Sequence, residues 1–406
     1  MNYMSESRCA VHGNDGPWPV EMPDETQLLL AACRSFCSGE TGTIPDSLIK
    51  KEIPWEAAVQ QAHEHGIESV LYNVMRQTPL PASVPSYLLA RMRQEAYMTV
   101  ERNLRVLRTL QAILPAFAGA GVNVVLLKGP ALIAEGIYGD IGTRETKDID
   151  ILIKKEDADA VHRILTSLGY KCEPVRRWLL QEYYCLEYYH LKEYKLEIHW
   201  ELFMPEDFRQ ASAVLPSAVL WNQVKEVSLD RNRVFVLADE AGLLYACLHF
   251  AKHCKKNDYR LLWALDIALV LRKKEKVLDW NRFHELAVNS GQSAVVRDVL
   301  SFVRNAIGTE KGAIGKHLPS PAFTVPQESQ PGKELRSLLF LRRIMSIPGF
   351  YAKAATLFEY SFPSREVLLW RYNAGKRHPA FRRLFHPLFL LRKATAEIMR
   401  RRLRRQ

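Results

Sequence analysis

At Gly121 the chain changes its period. Upstream, apolar residues recur at helical spacing. Residues 55–76 (WEAAVQQAHEHGIESVLYNVMR) predict two helices interrupted at Gly66. Residues 85–118 predict one or two long helices, with Leu104, Leu107, Leu110, Ile113 and Leu114 on one face. From 122 to 127 the pattern becomes a Val-rich apolar run bounded by Gly121 and by Gly129-Pro130, which reads as a buried strand. Pro130 suits the first turn of a helix over ALIAEGIY, and Gly139 suits its end. A second strand at 148–153 follows, then a helix at 156–168 closed by Gly169. Strand-like segments at 183–190 and 194–202 complete the unit. Strand, helix, strand, helix, strand, strand is the order of a small α/β domain.

That unit sits between helical stretches, so the predicted fold class is α+β: a small mixed-sheet domain flanked by N- and C-terminal helical regions. The expected divisions are a loose arm at 1–23 and a helical region at 24–117, where Asp24 is placed to cap the first helix. The α/β domain covers 118–205. A helical domain at 206–306 opens with a hydrophobic connection near 214–237 and holds helices at 239–255, 259–272 and 280–305. A Gly/Pro-rich linker at 307–332 precedes a helical segment and basic tail at 333–406. No internal repeat occurs.

Charge separates the same regions. The formal net charge is +11, from 56 Lys+Arg against 45 Asp+Glu. Residues 371–406 hold twelve Lys/Arg and one acid, Glu397. The remainder is therefore neutral, and the basic pI describes a tail rather than a nucleic-acid-binding body. With 48% hydrophobic and 25% charged residues, disordered and collagenous classes are excluded. No apolar run approaches the ~20 residues of a membrane span. The N-terminus lacks the basic start and apolar stretch of a secretory signal. Seven cysteines without a CxxC pair suit a reducing compartment. Cytoplasmic placement is expected.

The chemistry is suggested by acids inside the strands. Residues two apart on a strand face the same way, so Asp148 and Asp150 project together. Two adjacent carboxylates repel, and a divalent cation resolves the conflict. On the later strand YKLEIHWEL, Glu197, His199 and Glu201 share one face. If that strand lies beside the first, Glu197 supplies a third acid, and three acids can hold the two ions of a phosphoryl-transfer site. The Leu127-Lys-Gly-Pro turn places Lys128 and a helix start nearby, both suited to phosphate. Arg144 lies four residues before Asp148, able to bind phosphate, to lock the acidic strand, or to form an ion pair with Asp148 or Glu145. An isolated D-x-D would be surface or turn chemistry; its apolar surroundings distinguish this one.

The segments LLKGPALIAEGIYGDIGTRETKDIDILI and LEIHWEL resemble an uncharacterised nucleotidyltransferase family of bacterial biosynthetic gene clusters, within the polymerase-β-like nucleotidyltransferase superfamily. The resemblance extends over about 50–300, including IPWEAAVQQAHEHGIESVLYNVM and LLYACLHFAKH with RLLWALDIALVL. It implies transfer of a nucleoside monophosphate from a triphosphate, with ATP the first choice, to an acceptor, and release of pyrophosphate. By the same resemblance Asp148, Asp150 and Glu197 are the catalytic and metal-binding acids for two Mg²⁺ or Mn²⁺ ions. Lys128, the Gly129 backbone and Arg144 are the nucleotide-binding groups. An L-K-G turn replaces the superfamily's Gly-Ser pair, and Glu197 stands where Asp is common. The acceptor class stays open among small molecules, peptide or saccharide precursors and proteins. A catalytically weak nucleotide-binding or scaffolding module is the alternative, since resemblance does not prove turnover.

Other patterns compete. Cys247, His249, His253 and Cys254 have helical spacing able to hold zinc, although Phe250 stands where a metalloprotease has its Glu. Packing, or contact with the nucleotide by His249, Lys252, His253 and Arg260, is the other reading. A kinase is disfavoured because the strand ending at Lys128 follows no Gly-rich loop and precedes no H-R-D-x-x-x-x-N. The tail at 388–405 can form a basic amphipathic helix suited to a membrane surface or a partner. A phosphate-backbone contact, with RNA-directed transfer as its corollary, is another option, and a solvated or oligomer-packing end is the plain one.

Overall fold

The computed structural model describes residues 22–308, except 40–43, 50–51, 79–83, 173–184, 191–193, 204–206, 209–214, 231 and 256–257, together with residues 349–362. The arm up to residue 21, the linker from 309 and the helical segment and basic tail expected over 333–406, apart from 349–362, lie outside the described residues.

Helices α1 (Asp24–Ser38), α2 (Asp46–Ile49), α3 (Trp55–Glu64) and α4 (Glu68–Met75) come first. The break between α3 and α4 falls where Gly66 takes φ +71°, a left-handed conformation that glycine adopts without steric cost. A Cβ there would lie 3.2 Å from Leu262, so the same glycine admits the close approach of a later helix. Asp24 does not cap α1. It is the first helical residue, Pro23 precedes it, and Gln27 Nε2 donates to its carboxylate. It still places negative charge in the first turn, where the helix dipole favours it.

The long-helix pattern resolves into one element, α5 (Ser86–Gly119), continuous through Pro115. At 1.5 Å per residue it spans about 51 Å. The α/β unit follows: β1 (Val125–Leu126), α6 (Lys128–Ala134), β2 (Ile149–Leu152), a 3₁₀ turn at Lys155–Asp157, α7 (Ala158–Ser167), β3 (Lys171–Cys172), β4 (Cys185–Tyr189) and β5 (Leu196–His199). Helix α6 stops four residues before Tyr138, because Gly136 and Gly139 both take positive φ.

The stretch at 214–237 is more than a connection. It contains α8 (Ser217–Leu220) and the hairpin β6 (Val224–Leu229) and β7 (Asn232–Leu237). The hairpin joins the same sheet, whose order is β3-β4-β5-β2-β1-β7-β6. The sheet therefore runs past residue 205. β1 pairs antiparallel with β2 and parallel with β7, and β2 pairs parallel with β5. The chain is mixed α/β with a seven-stranded mixed sheet.

Helices α9 (Asp239–Lys255), α10 (Leu261–Lys274), α11 (Trp280–Asn289) and α12 (Ser293–Ile307) close the main body, and α13 (Phe350–Ser361) follows. Asp279 caps α11 by accepting from the backbone N–H groups of Asn281 and Arg282.

Two hydrophobic cores result. One joins helices from both ends of the chain, including Leu29 and Cys33 of α1, Leu248 of α9, Leu265 of α10 and Leu300 of α12. The other lies against the sheet and α7, with Leu126, Ile151, Leu165 and Ile198. Helix α5 serves both: Leu88 and Met92 enter the first, and Val106, Leu110, Ile113 and Phe117 enter the second. No helix among the described residues is long and apolar enough to cross a membrane.

Candidate active site

The acids reach one place because β2 and β5 are neighbours in parallel register. Asp150 is opposite Glu197, and Leu152 is opposite His199. All four residues of β2 are buried, so Asp150 enters the interior with its strand. Its Oδ1 accepts from Lys128 Nζ at 2.6 Å and from His199 Nε2 at 3.0 Å. Its Oδ2 is buried without a hydrogen-bond partner. Burial opposes ionisation of Asp150, but Lys128 and the His199 hydrogen bond outweigh it and hold the carboxyl below its ordinary range. The same contacts act on Glu197, whose carboxyl is also held low against burial by His199, Lys128 and Lys195. His199 Nε2 lies 3.7 Å from Glu197 Oε2. Burial works against its protonation, and the bonds to Asp150 and Glu197 raise its pKa above the ordinary value nonetheless.

Asp148 stands at the more open end of the group, its side chain 34% exposed. Burial and the nearby Asp150 push its carboxyl up to about 6. Among the described residues, Asp150, Glu197 and His199 form a group whose ligand atoms all lie within 4.8 Å of one another, close enough for one cation. The buried unbonded oxygen of Asp150 fits a divalent ion, since burying such an oxygen without a partner is otherwise costly.

Lys128 begins α6 with φ +49°, left-handed backbone for a residue with a Cβ. Such strain concentrates at functional sites. Helix α6 has only seven residues, so the ammonium rather than a helix dipole supplies the positive charge. Gly129 is buried against the 140–146 loop, and a Cβ there would lie 2.5 Å from Arg144 Nη1 and 2.8 Å from Thr146 Oγ1. That loop is pinned by α5, where Asn103 Nδ2 donates to the carbonyls of Ile141 (2.6 Å) and Arg144 (2.7 Å). The Tyr194 hydroxyl donates to the Thr146 carbonyl at 3.0 Å.

Arg144 does not pair with Asp148 or Glu145 through their side chains. Its guanidinium forms a buried two-point bond with Asp266 of α10, Nε to Oδ1 at 2.9 Å and Nη2 to Oδ2 at 2.8 Å. The Tyr138 hydroxyl donates to Asp266 Oδ1 at 2.6 Å, a contact made possible by the early end of α6. The strand does not end at Lys128, as the kinase comparison requires: β1 stops at Leu126 and Lys128 lies in the following helix.

The four candidate zinc ligands of α9 do not converge. Cys247 is buried in the core and Cys254 is exposed. The His249 and His253 rings pack on Trp263, with centroids 4.9 and 4.3 Å away. Burial and the nearby Lys128 hold His249 well below its ordinary pKa, so it is neutral. Tyr245, His249 and Trp263 line a cleft of about 70 Å³ that also touches Lys128. The helical layer thus supplies a wall of the site.

Sequence reasoning missed three contributors. His199 was placed on the face of Glu197 but given no role, and Lys195 shares that face two residues earlier. Asp266 lies in the apolar run LLWALDIALVL, whose helical pattern gives the acid no role. For the first two the signal was present, in the period-2 pattern of β5 and the residue leading into it. For Asp266 the signal was its charge within LLWALDIALVL, which demands a partner.

A family model described as "Uncharacterised nucleotidyltransferase" matches residues 51–308. The match covers more than half of the chain, and the chain belongs to this nucleotidyltransferase family. No curated protein matches the chain.

Proposed function

We propose that this protein transfers a nucleoside monophosphate from a nucleoside triphosphate, ATP in the first instance, to a nucleophilic acceptor. A new bond forms between the acceptor and the α-phosphorus, the α–β bridging bond breaks, and pyrophosphate leaves. The observation that carries the reading is the register of β2 against β5, which sets Asp150 opposite Glu197 and leaves Asp150 Oδ2 buried and unbonded. Asp148, Asp150 and Glu197 are the metal-binding acids, and oxygen donors of this kind suit Mg²⁺ or Mn²⁺. A divalent ion here would neutralise phosphate charge and favour a nucleophilic acceptor oxygen.

The chain's own residues do the rest. Lys128 and the Gly129 backbone bind the β- and γ-phosphates. His199 fixes the orientation of Asp150. Glu197 stands nearest the acceptor and assists its deprotonation. Of the roles expected for Arg144, the bond to Asp266 supports a structural one: it holds the loop that leads into Asp148. The cleft beside Lys128, walled by Tyr245, His249 and Trp263, suits the nucleobase or an apolar part of the acceptor.

The test is incubation with each α-labelled triphosphate, Mg²⁺ and candidate acceptors, with pyrophosphate measured. Asp150→Asn is expected to keep its fold and lose about 10²–10³-fold in rate, the scale of removing a main electrostatic contributor. Undiminished transfer by this variant defeats the reading. A binding-only module is the second reading, favoured by the Lys128–Asp150 contact, which ties the phosphate lysine to an acid. Metal-dependent triphosphate binding without pyrophosphate release would establish it.

A further inference from the structure

A second lysine reaches the acids. Lys195 lies two residues before Glu197 and leads into the same face of β5. Its side chain is only 6% exposed, and its ammonium bonds Glu197 directly. The same nitrogen lies 3.6 Å from Asp148 Oδ2 and 3.6 Å from Glu187 Oε1. Glu187 is brought there by β4, whose register sets it opposite Glu197. Three carboxylates from three strand regions therefore converge on one nitrogen. That is a ligand set of the sort a hard divalent cation takes, with an ammonium at its centre.

The acidic group divides in two. In one half Lys195 is surrounded by Asp148, Glu187 and Glu197. In the other, Asp150 Oδ2 has no hydrogen bond, and Glu197 Oε2 and His199 lie close by. Lys128 bonds only the other oxygen of Asp150 and leaves Oδ2 open. Among the described residues, four carboxylates (Asp148, Asp150, Glu187, Glu197) against two ammoniums (Lys128, Lys195) leave a formal charge of −2 when His199 is neutral, the state in which its ring nitrogen can ligate an ion. One divalent ion cancels that charge. A second would leave a surplus of +2 in a largely buried site, which is unfavourable unless a polyanion compensates it.

We infer that Lys195 occupies the second cation position of the acidic group, so that the protein without nucleotide holds one divalent ion, at Asp150 and Glu197, rather than two. This rests on the metal-dependent reading above and deepens it. Lys195 is then a positioning residue: it holds Asp148 and Glu197 apart and sets the metal count, without itself touching the reacting phosphorus.

The test counts ions, not turnover. Full-length protein without nucleotide is titrated with Mn²⁺, and the free ion is followed by its electron paramagnetic resonance signal, with circular dichroism to verify the fold. One tightly bound Mn²⁺ per chain is expected for the wild type. Lys195→Met and Lys195→Gln are expected to bind two, the second at least tenfold more tightly than any second ion of the wild type. Lys195→Arg, which keeps a cation, is expected to stay at one. Two tight ions in the wild type overturn the inference, even if the neutral variants fail to fold, and leave the metal-dependent reading intact. One ion only in a folded neutral variant overturns it as well. No bound Mn²⁺ in any form defeats the metal-dependent reading and the inference together.

Discussion

Two buried charge groups flank the Lys128 turn, and they are resolved in opposite ways. The Arg144–Asp266 group is closed. The guanidinium meets both carboxylate oxygens at 2.8–2.9 Å, and Tyr138 donates a third bond. The Asp150 group is open. One of its buried oxygens has no bond, Lys128 holds a left-handed backbone, and Asp148 is pushed up to about 6. A closed pair joins the 140–146 loop to α10 and fixes architecture. An open group keeps surplus negative charge in the interior, which costs stability in the absence of a cation. The difference separates a buried ion pair that serves the fold from one that we propose serves a ligand.

The comparison can be broken at its closed side first. Asp266→Ala leaves Arg144 as an uncompensated buried charge, and a loss of about 3–5 kcal/mol is expected in urea unfolding. Joint replacement, Arg144→Met with Asp266→Leu, is expected to recover most of that loss, because the penalty belongs to the stranded charge. A loss within ~0.5 kcal/mol for Asp266→Ala, the size of an ordinary surface change, would erase the contrast. Gly129→Ala comes next. Its Cβ would press on Arg144 Nη1, which cannot yield while Asp266 holds it. A loss of about 1–3 kcal/mol is expected, with weaker triphosphate binding in parallel. In the Asp266→Ala background the same substitution should cost less, since the guanidinium is then released. Equal costs in both backgrounds, in a double-mutant cycle, would show that the two groups do not communicate.

The smallest effect lies on the open side and has the opposite sign. The Asp148 carboxyl titrates at an ordinary 3.8 when unfolded and at about 6 when folded. The unfolded state therefore loses its proton first as pH rises. The native state acquires a penalty that grows between those values and is complete above them. Asp148→Asn removes the penalty. With the side chain 34% exposed, solvent screening reduces the gain to about 1 kcal/mol. A higher melting temperature at pH 7.5, shrinking to nothing below pH 4, is expected for metal-free protein. A gain that is constant with pH would assign the effect to something other than this carboxyl.

Much of this was legible in the chain itself, for identifiable reasons. The change of period at Gly121 and the alternation in β2 and β5 are local patterns, and they place the acids on strands without reference to strand pairing. The interruption at Gly66 was equally local. What escaped was non-local. The hairpin over 224–237 reads as a connection because its residues alternate weakly; only its pairing with β1 makes it part of the sheet. The partner of Arg144 lies 122 residues away, on a helix whose apolar run disguises the need for a buried acid. The roles of Lys195 and Glu187 depend on the β4–β5 register, which one strand's sequence does not contain.

The long helix α5 has a further consequence. Its first turns are packed into the helical core and its later turns into the core beneath the sheet. Neither core can melt without stripping buried contacts from a helix that the other core still holds. Between its two sets of core contacts, from Met92 to Val106, α5 contains no proline or glycine at which its hydrogen bonding is interrupted, so order cannot stop cheaply there. The helical body and the sheet thus behave as one cooperative unit, and local opening is confined to elements outside that shared helix.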